Sequence, residues 1–517
     1  MTLISKCPIN NFRMFCLKGK KRFLTFCMNP CIQTLLLLLF CRLVAMYFIP
    51  LNDSTEARYG EIARKMLETG NWVTPLHDYG VPFWAKPPLS TWLSALSMKL
   101  FGVNEFAVRL PSLLLSLGIL RLTWLLAKQR AGAQYAWNVI LVMSLCIAFV
   151  VNAGAVMTDA ALLFSVTLVM VAFWLTVMED MPSWRYLFFV GVSLGLLAKG
   201  PIILVLTGLP IFVWMIIQKE WVRVWKKLPW FKGICLTAII ALPWYLLAEH
   251  RTPGFLQYFI VGEHLGRFLE PGWAGDKYGS AHQAPYGMIW IYALFGLFPW
   301  TYLIPVWWRS KRAQCSITDT AFPLSWSRFL ICFTLTPCVF FSLARNIIYP
   351  YVLPSIPAFA LYAANFIQQR NLSQQFRRDF VRIGRVYCPV ILSMVALFLF
   401  YPTLVMRSQK PIVEAWQKKY PLQNGLLIYW DVKPHFSAQF YTQGRVAATI
   451  DPQILIKLWQ KNADNCLVTR TNPGVSLPVI PSCLQEHLTQ AGLISIHKED
   501  YVLYADTIIK PQLSNRE

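Results

Sequence analysis

The residues of this sequence that could do chemistry lie in short polar stretches between long apolar runs. The first such stretch reads NDSTEARYGEIARKM and contains Asp53, Glu56, Arg58 and Tyr59. Asp53 and Glu56 have the spacing of a helix capping pair, and Asp53 stands where an apolar run meets polar residues. Two interpretations follow: a carboxylate that only caps a helix, or one that takes a proton or binds a metal.

Further charges stand at the borders of other apolar runs. Lys86 precedes two prolines that would begin a helix, so its ammonium and the free N–H groups beyond could bind an anion such as a lipid phosphate. The alternative is an interfacial lysine whose stem covers apolar surface. Asp159 begins an apolar run, where it could simply stabilise the helix dipole. Lys199 lies between two apolar runs, where a charge is costly and is therefore a functional candidate.

A later stretch, VGEHLGRF, places Glu263, His264 and Arg267 within about one helical turn. Histidine and glutamate could bind a divalent metal, but two ligands without a third make a weak signal. Arg267 is a second candidate for phosphate binding. Arg345 and Tyr349, in SLARNIIYPYVLP, supply another cation and a phenol.

The elements that must position these residues are predicted to be membrane-spanning helices. Of the 517 residues, 56% are hydrophobic and 14% charged, whereas about a quarter of the residues in soluble domains are charged. The net charge of +23 is scattered over short clusters, which is typical of loops beside a membrane and not of a nucleic-acid-binding face. Windows of about 20 apolar residues predict about eleven spans, and at most about thirteen. They cover 32–51, 105–127, 132–151, 157–177, 184–199, 201–218, 229–248, 285–307, 326–344, 346–367 and 384–406.

The distribution of basic clusters predicts how the chain threads the membrane. Residues 88–101 are too short to span, and if they lie flat in the interface the basic clusters share the side of the basic N-terminus, 1–31. The membrane part, 32–406, then exposes the loops 52–104 and 250–284 on the opposite side. The tail, 407–517, alternates strand-like and helix-like runs and is predicted to be a small α/β domain on that same side. Its cysteines, Cys466 and Cys483, would meet an oxidising compartment, where a disulfide forms if their geometry allows.

Five stretches resemble a known family. DSTEARYGEIARKMLETGNWVTP, FWAKPPLSTWLSALSMKLFGVNEFAVRLPS, TDAALLF, LAKGP and EHLGRF are similar to glycosyltransferases of the GT-C class, in particular the lipid A aminoarabinose transferases and their protein-mannosyltransferase-like relatives. The resemblance covers most of the membrane part and is strongest over roughly 50–120. It implies a GT-C-like fold and inverting transfer of a sugar from an undecaprenyl-phosphate carrier to an acceptor such as lipid A or another envelope glycan or lipid. It also implies a bacterial inner membrane, an active site on the periplasmic side and no nucleic-acid partner.

The resemblance also assigns roles to residues. It makes Asp53 and Asp159 the acidic residues of the active site, and Arg58, Lys86 and Arg267 the ligands of the donor phosphate. We expect five more residues to contact the substrates: Glu56, Tyr59, Lys199, Arg345 and Tyr349. By the same resemblance, His264 would be the histidine of a metal-linked loop. The aminoarabinose transferases have a glutamate before the lysine of KPP that joins this histidine on the metal, whereas this chain has Ala85, which leaves the divalent metal and the sugar open.

Two alternatives remain. A protein O-mannosyltransferase-like enzyme would use the same donor chemistry on a different acceptor. A transporter or flippase of lipid-linked sugars would belong to another class, and its sequence should show repeat symmetry and helices broken near the bilayer midplane. No internal repeat is evident here, and the ionisable candidates fall on one predicted surface. These observations favour an enzyme.

Overall fold

A computed structural model describes residues 29–279, 282–310, 322–421, 425–461, 464–471, 478–497 and 499–506. Most of the predicted basic N-terminal segment, 1–28, lies outside the described residues.

The described membrane part is a bundle of apolar helices with short polar connections. Its helices are α1 Pro30–Phe48, α2 Thr55–Thr69, α3 Leu89–Phe101, α4 Glu105–Leu145, α5 Ile147–Asn152, α6 Asp159–Val177, α7 Arg185–Lys199, α8 Ile202–Gln218, α9 Trp221–Lys227, α10 Trp230–Arg251, α11 Arg267–Leu269, α12 Met288–Gly296, α13 Trp300–Ser310, α14 Leu324–Phe341, α15 Ile356–Gln369, α16 Ser373–Phe400 and α17 Pro402–Val405. A π-helix covers Gln257–Gly266, and 3₁₀ turns cover Pro182–Trp184 and Tyr349–Ser355. A ribbon of β1 Leu76–Asp78 and β2 Val81–Pro82 separates α2 from α3.

The predicted multi-pass helical architecture is confirmed. Within the described residues, seven helices are long and apolar enough to cross a membrane, or eight if Met288–Gly296 and Trp300–Val306, which meet at a bend of 80°, form one span. The predicted number of about eleven is higher for two reasons. The helix α4 is bent at Ala131 and Gly132, so it contains two of the predicted spans. The helices α7 and α8 have only 15 and 17 residues, although both fall on predicted windows.

The centre of the bundle is α6, which is almost entirely buried. Its sequence, DAALLFSVTLVMVAFWLTV, is apolar on every face, as expected for a helix with neighbours all round. Near its C-terminal end, Trp174 packs edge-on against Trp326, with ring centroids 4.4 Å apart. Because α6 occupies the centre, its first residue, Asp159, is held in the interior of the protein, where only 5% of the residue is exposed.

The helix α3 lies beside the first loop. Its hydroxyls face inward, since Ser94 and Ser97 donate hydrogen bonds to the carbonyls of Val108 and Ala107. Leu96 and Leu100 are exposed. An outward apolar face on a helix of 13 residues is the pattern of an interfacial helix, and its flat orientation in a membrane stays a prediction.

The C-terminal region forms the predicted small α/β domain. A five-stranded sheet has the order β4-β3-β5-β7-β6, in which β3 is parallel to β4 and β5, and β7 is antiparallel to β5 and β6. Its strands are β3 Leu427–Trp430, β4 Val446–Thr449, β5 Cys466–Thr471, β6 Leu488–Ile496 and β7 Glu499–Asp506, and its helices are α18 Lys410–Lys419, α19 Phe436–Tyr441, α20 Pro452–Lys461 and α21 Ser482–Gln485. Cys466 is buried, Cys483 is exposed, and both are free thiols. The disulfide considered from the sequence is therefore not formed.

Candidate active site

One cavity brings together charged residues from distant parts of the chain. It opens between the start of α6, the end of α7, the π-helix and the 3₁₀ turn Tyr349–Ser355, and we call it the cationic chamber. Its polar wall includes Lys86, Lys199, Arg267, Asp159, Glu263, His264, Asn346 and Tyr351. Five of the residues predicted as site residues thus meet here.

Local backbone geometry positions the two lysines. Lys86 lies four residues after the end of β2 and directly before the proline pair, and the helix α3 begins at Leu89, just after the two prolines that were predicted to begin it. Lys199 is the last residue of α7, which Gly200 ends with a φ of 81°. That left-handed conformation favours glycine. A Cβ on Gly200 would also lie 2.5 Å from the ring of Phe259, so the LAKGP turn needs glycine on both counts.

The chamber contains two groups of buried ion pairs. Lys199 donates a hydrogen bond from Nζ to Asp159 Oδ1 at 2.6 Å, and its ammonium lies 4.5 Å from the centre of the Tyr351 ring. In the second group, Glu263 Oε2 accepts from Lys86 Nζ at 2.8 Å and from Arg267 Nη1 at 3.1 Å. These contacts keep the cations in place without a substrate.

The charges around Glu263 control its ionisation. Burial alone would raise the pKa of Glu263, but the charges of Lys86 and Arg267 and their hydrogen bonds outweigh burial and lower it. In turn, burial would lower the pKa of Arg267, but the Glu263 carboxylate raises it. Asp276 lies on the other edge of the guanidinium, with Oδ2 3.5 Å from Arg267 Nη2. Glu263 is therefore ionised at neutral pH, and so is Arg267.

The surroundings of His264 do not fit a metal site. Its Nδ1 lies 2.8 Å from the carbonyl oxygen of Phe259 and its Nε2 lies 3.2 Å from that of Lys199, so both ring nitrogens face backbone oxygens. Burial lowers the pKa of His264. Ala85 offers no ligand, and the neighbouring Glu263 is already bound to two cations. Over the part of the chain that the structure describes, no three His, Cys, Asp or Glu side chains come together as metal ligands.

Asp53, predicted to be an acidic residue of the active site, does not line the cationic chamber. It lines a second cavity, the loop cavity, together with Arg42, Asn52, Glu56, Arg109 and Tyr349. Its carboxylate accepts hydrogen bonds from the backbone N–H, at 3.2 Å, and the hydroxyl of Ser437 in the C-terminal domain. Burial raises the pKa of Asp53 to about 7, and the hydrogen bonds from Ser437 only partly offset this effect. A carboxylate engaged in this way joins two domains and is not presented to the chamber.

Glu56 is also held away from the chamber. Arg109 Nε and Nη2 donate to its two oxygens at 2.9 and 2.7 Å. Burial favours the neutral acid, but the charge and hydrogen bonds of Arg109 prevail and lower the pKa of Glu56. Arg109 was missed from the sequence, although a charge inside a predicted span was a usable signal.

The other predicted contacts lie around the chamber without lining it. Arg58 donates to the carbonyl oxygen of Tyr278 at 2.6 Å, and Arg345 lies over the Tyr286 ring at 5.6 Å. Tyr59 lies within electrostatic range of Lys199, and Tyr349 within that of Asp159. The phenol in the chamber wall is Tyr351, two residues beyond the predicted one.

Comparison with known proteins finds similarity to named sugar transferases. A family model described as dolichyl-phosphate-mannose-protein mannosyltransferase matches residues 35–259. A protein of Erwinia tasmaniensis named undecaprenyl phosphate-alpha-4-amino-4-deoxy-L-arabinose arabinosyl transferase is 31% identical over 345 residues, which are 63% of this chain and 58% of the relative. A protein of Pseudomonas fluorescens with the same name and the number 1 is 31% identical over 72% of this chain and 63% of its own length. The chain thus matches about three-fifths of the length of these relatives.

The crystal structure of ArnT from Cupriavidus metallidurans bound to undecaprenyl phosphate superposes with a TM-score of 0.66 at 18% identity, over 91% of this chain and 97% of that one. The chain has the GT-C fold. Its resemblance to the aminoarabinose transferases is likewise confirmed by the relatives.

Within this GT-C fold, the chamber is equipped for chemistry that develops negative charge. Three cations border one cavity, and each is already fixed by a carboxylate, so little reorganisation is needed when an anion forms there. Lys86 and Arg267 keep 18% and 23% of their side chains exposed, so both can meet a ligand. Phosphate oxygens are the natural partners of such a pair.

Proposed function

We propose that this protein is an inverting glycosyltransferase that moves a sugar from an undecaprenyl-phosphate carrier to an acceptor such as lipid A or another envelope glycan or lipid. The observation that carries the proposal is the cationic chamber, in which Lys86, Lys199 and Arg267 meet from three distant segments inside a GT-C fold. The names of the relatives and the undecaprenyl phosphate bound to the ArnT structure support the choice of donor.

The reaction that we propose is a single displacement. The acceptor oxygen attacks the anomeric carbon, the bond from that carbon to the phosphate oxygen breaks, and the electron pair stays on the lipid phosphate. Lys86 and Arg267 stabilise the charge as it grows on that oxygen. An acceptor hydroxyl passes its proton to a carboxylate, for which Asp159 is the candidate in the chamber wall. An acceptor phosphate needs no strong base.

We propose a multi-pass location in a bacterial inner membrane, with the chamber on the periplasmic side. The support is the sequence pattern, in which basic clusters alternate with apolar helices. The loops 52–104 and 250–284, which contain Lys86 and Arg267, then fall on the side opposite to the basic clusters. A reagent that modifies thiols from one side only, applied to single-cysteine variants at exposed positions 99 and 226, tests this orientation.

A protein mannosyltransferase-like activity is the second candidate. The family model that matches residues 35–259 favours it, because its description names a protein acceptor. The chemistry at the chamber would be the same, since only the acceptor differs.

Mass spectrometry of lipid A, envelope glycans and envelope proteins, from cells with and without the gene, tests the proposal and separates the two acceptors. Complementation with Lys86→Ala should abolish the modification, because it removes one of the two cations assigned to the phosphate and leaves Glu263 to compete for the other, Arg267. Lys226→Ala, which removes an exposed lysine remote from the chamber, is the matched control. Full product from Lys86→Ala at normal expression would show that the chamber is not the site of transfer.

A further inference from the structure

Glu263 lies where it competes for the donors of the candidate phosphate site. Its Oε2 contacts Lys86 Nζ at 2.8 Å and Arg267 Nη1 at 3.1 Å, and its Oε1 contacts the same Arg267 nitrogen at 3.2 Å. The Tyr258 hydroxyl donates to Oε1 at 3.4 Å. A carboxylate therefore already accepts from the two cations that we assign to the phosphate.

The carboxylate lies behind the cations. Only 1% of the Glu263 side chain is exposed, against 18% for Lys86 and 23% for Arg267. A phosphate that enters the chamber thus meets the cations first, while Glu263 stays close enough to repel it. Coulomb repulsion is proportional to the charge of the ligand, so a dianion is repelled about twice as strongly as a monoanion at the same place.

The proposed reaction increases the negative charge of the lipid phosphate. The donor is a phosphodiester with one negative charge, whereas the lipid phosphate left after transfer is a monoester that carries about −1.5 to −2 at neutral pH. Two unopposed cations would hold the product more strongly than the donor.

This inference rests on the proposed function. We propose that Glu263 is a specificity residue: it lowers the affinity of Lys86 and Arg267 for the lipid monophosphate product more than their affinity for the phosphodiester donor. It does so by opposing their charge from the buried side. Asp276, 3.5 Å from the other edge of Arg267, adds a smaller contribution because it does not contact Lys86.

Binding to the full-length chain in lipid nanodiscs at pH 7.5 tests this inference. The two probes are undecaprenyl phosphate, a monoester, and its methyl ester, a diester of the same chain. Glu263→Gln should bind the monoester about tenfold more tightly or better, with a distinctly smaller gain for the diester. Glu263→Asp keeps the charge and should retain the wild-type preference. Glu105→Gln, which neutralises a carboxylate paired with Lys410 outside the chamber, is the matched control and should change neither affinity.

The inference is overturned if Glu263→Gln binds the monoester no more tightly than wild type, or if both probes gain equally. It is also overturned if Glu263→Asp shows the same gain, because packing and not charge would then be responsible. If Glu263→Gln folds poorly, Asp276→Asn tests the inference independently. A smaller gain in affinity for the monoester supports the inference, whereas an unchanged or lower affinity opposes it. A wild-type chain that binds neither probe refutes the proposed function itself, which distinguishes that failure from a wrong role for Glu263.

Discussion

Asp53→Asn should stabilise the protein increasingly as the pH rises from about 4 to about 7, and should have no such effect below this range. In the folded state Asp53 is buried against Ser437, and burial raises its pKa from the ordinary 3.8 to about 7. The unfolded chain ionises this group near its ordinary pKa. Between these two values the folded state binds a proton that the unfolded state does not, so the free energy of unfolding falls as the pH rises.

The size of the effect follows from the two pKa values. The difference between 3.8 and about 7 corresponds to an upper limit of about 4 kcal/mol at full ionisation. Asparagine remains neutral and keeps an oxygen for Ser437, so the penalty disappears while about one hydrogen bond, worth about 1 kcal/mol, is altered. The gain in stability of Asp53→Asn over wild type should be near zero at pH 4 and reach a few kcal/mol at pH 8.

Chemical or thermal unfolding in detergent, followed from pH 5 to pH 8, measures this difference. His435 is a second group that could titrate here, because its Nδ1 lies 3.8 Å from Asp53 and its Nε2 lies 3.8 Å from Glu499. Burial lowers the pKa of His435. Repeating the comparison in a His435→Gln background therefore isolates the aspartate. A difference between Asp53→Asn and wild type that stays constant over this pH range would refute the reasoning.

The remaining predictions concern the supports of the two cavities. Arg109→Ala should destabilise the fold by about 2–4 kcal/mol, because it leaves the half-buried carboxylate of Glu56, 19% exposed, without the guanidinium that pairs with it. Thermal unfolding with Lys226→Ala as the control measures this loss, and a change below about 1 kcal/mol would contradict it. Gly200→Ala should weaken binding of undecaprenyl phosphate in the nanodisc assay, because its new Cβ would press on Phe259 and displace the π-helix. Gly208→Ala, where a Cβ meets nothing within 4 Å, is the matched control, and equal binding by both variants would show that the turn tolerates a side chain.

The helices could be predicted from the sequence because a span is a local property. Twenty or so apolar residues identify it whatever its neighbours are, so each predicted window falls on a helix. The windows also placed the end of α7 at Lys199 and a break between residues 127 and 132, but they predicted two separate helices where α4 is one helix bent at Ala131 and Gly132. The end of α7 and the bend in α4 depend on single backbone positions, Gly200 and Gly132, where a positive φ redirects the chain. Such positions alter the length or direction of a helix without changing its hydropathy.

The candidate site could be predicted only in part. Lys86, Asp159 and Lys199 were found because a charge at the border of an apolar run is costly and visible, and Arg267 because it lies within a helical turn of Glu263 and His264. Asp53 met the first criterion, yet its partner is Ser437, 384 residues further on. No spacing rule connects two such distant positions. Tyr349 was predicted as the phenol of the site, whereas Tyr351 lines the chamber. The reason is that the segment forms a 3₁₀ turn, in which side chains point in other directions than in the helix predicted there.

The charge of Lys86 in the chamber is balanced by its ion pair with Glu263, and the residue at position 85 bears on this balance. The resemblance predicts a glutamate at the position of Ala85, where it would stand next to Lys86. In this chain Ala85 is buried and contributes only its carbonyl oxygen, which accepts from Lys86 Nζ at 2.7 Å. Over the described residues, the ion pair of Lys86 is with Glu263. A chamber without a carboxylate at position 85 therefore depends on Glu263 to balance this lysine, so that the same residue both fixes the cation and limits how strongly it can hold a phosphate.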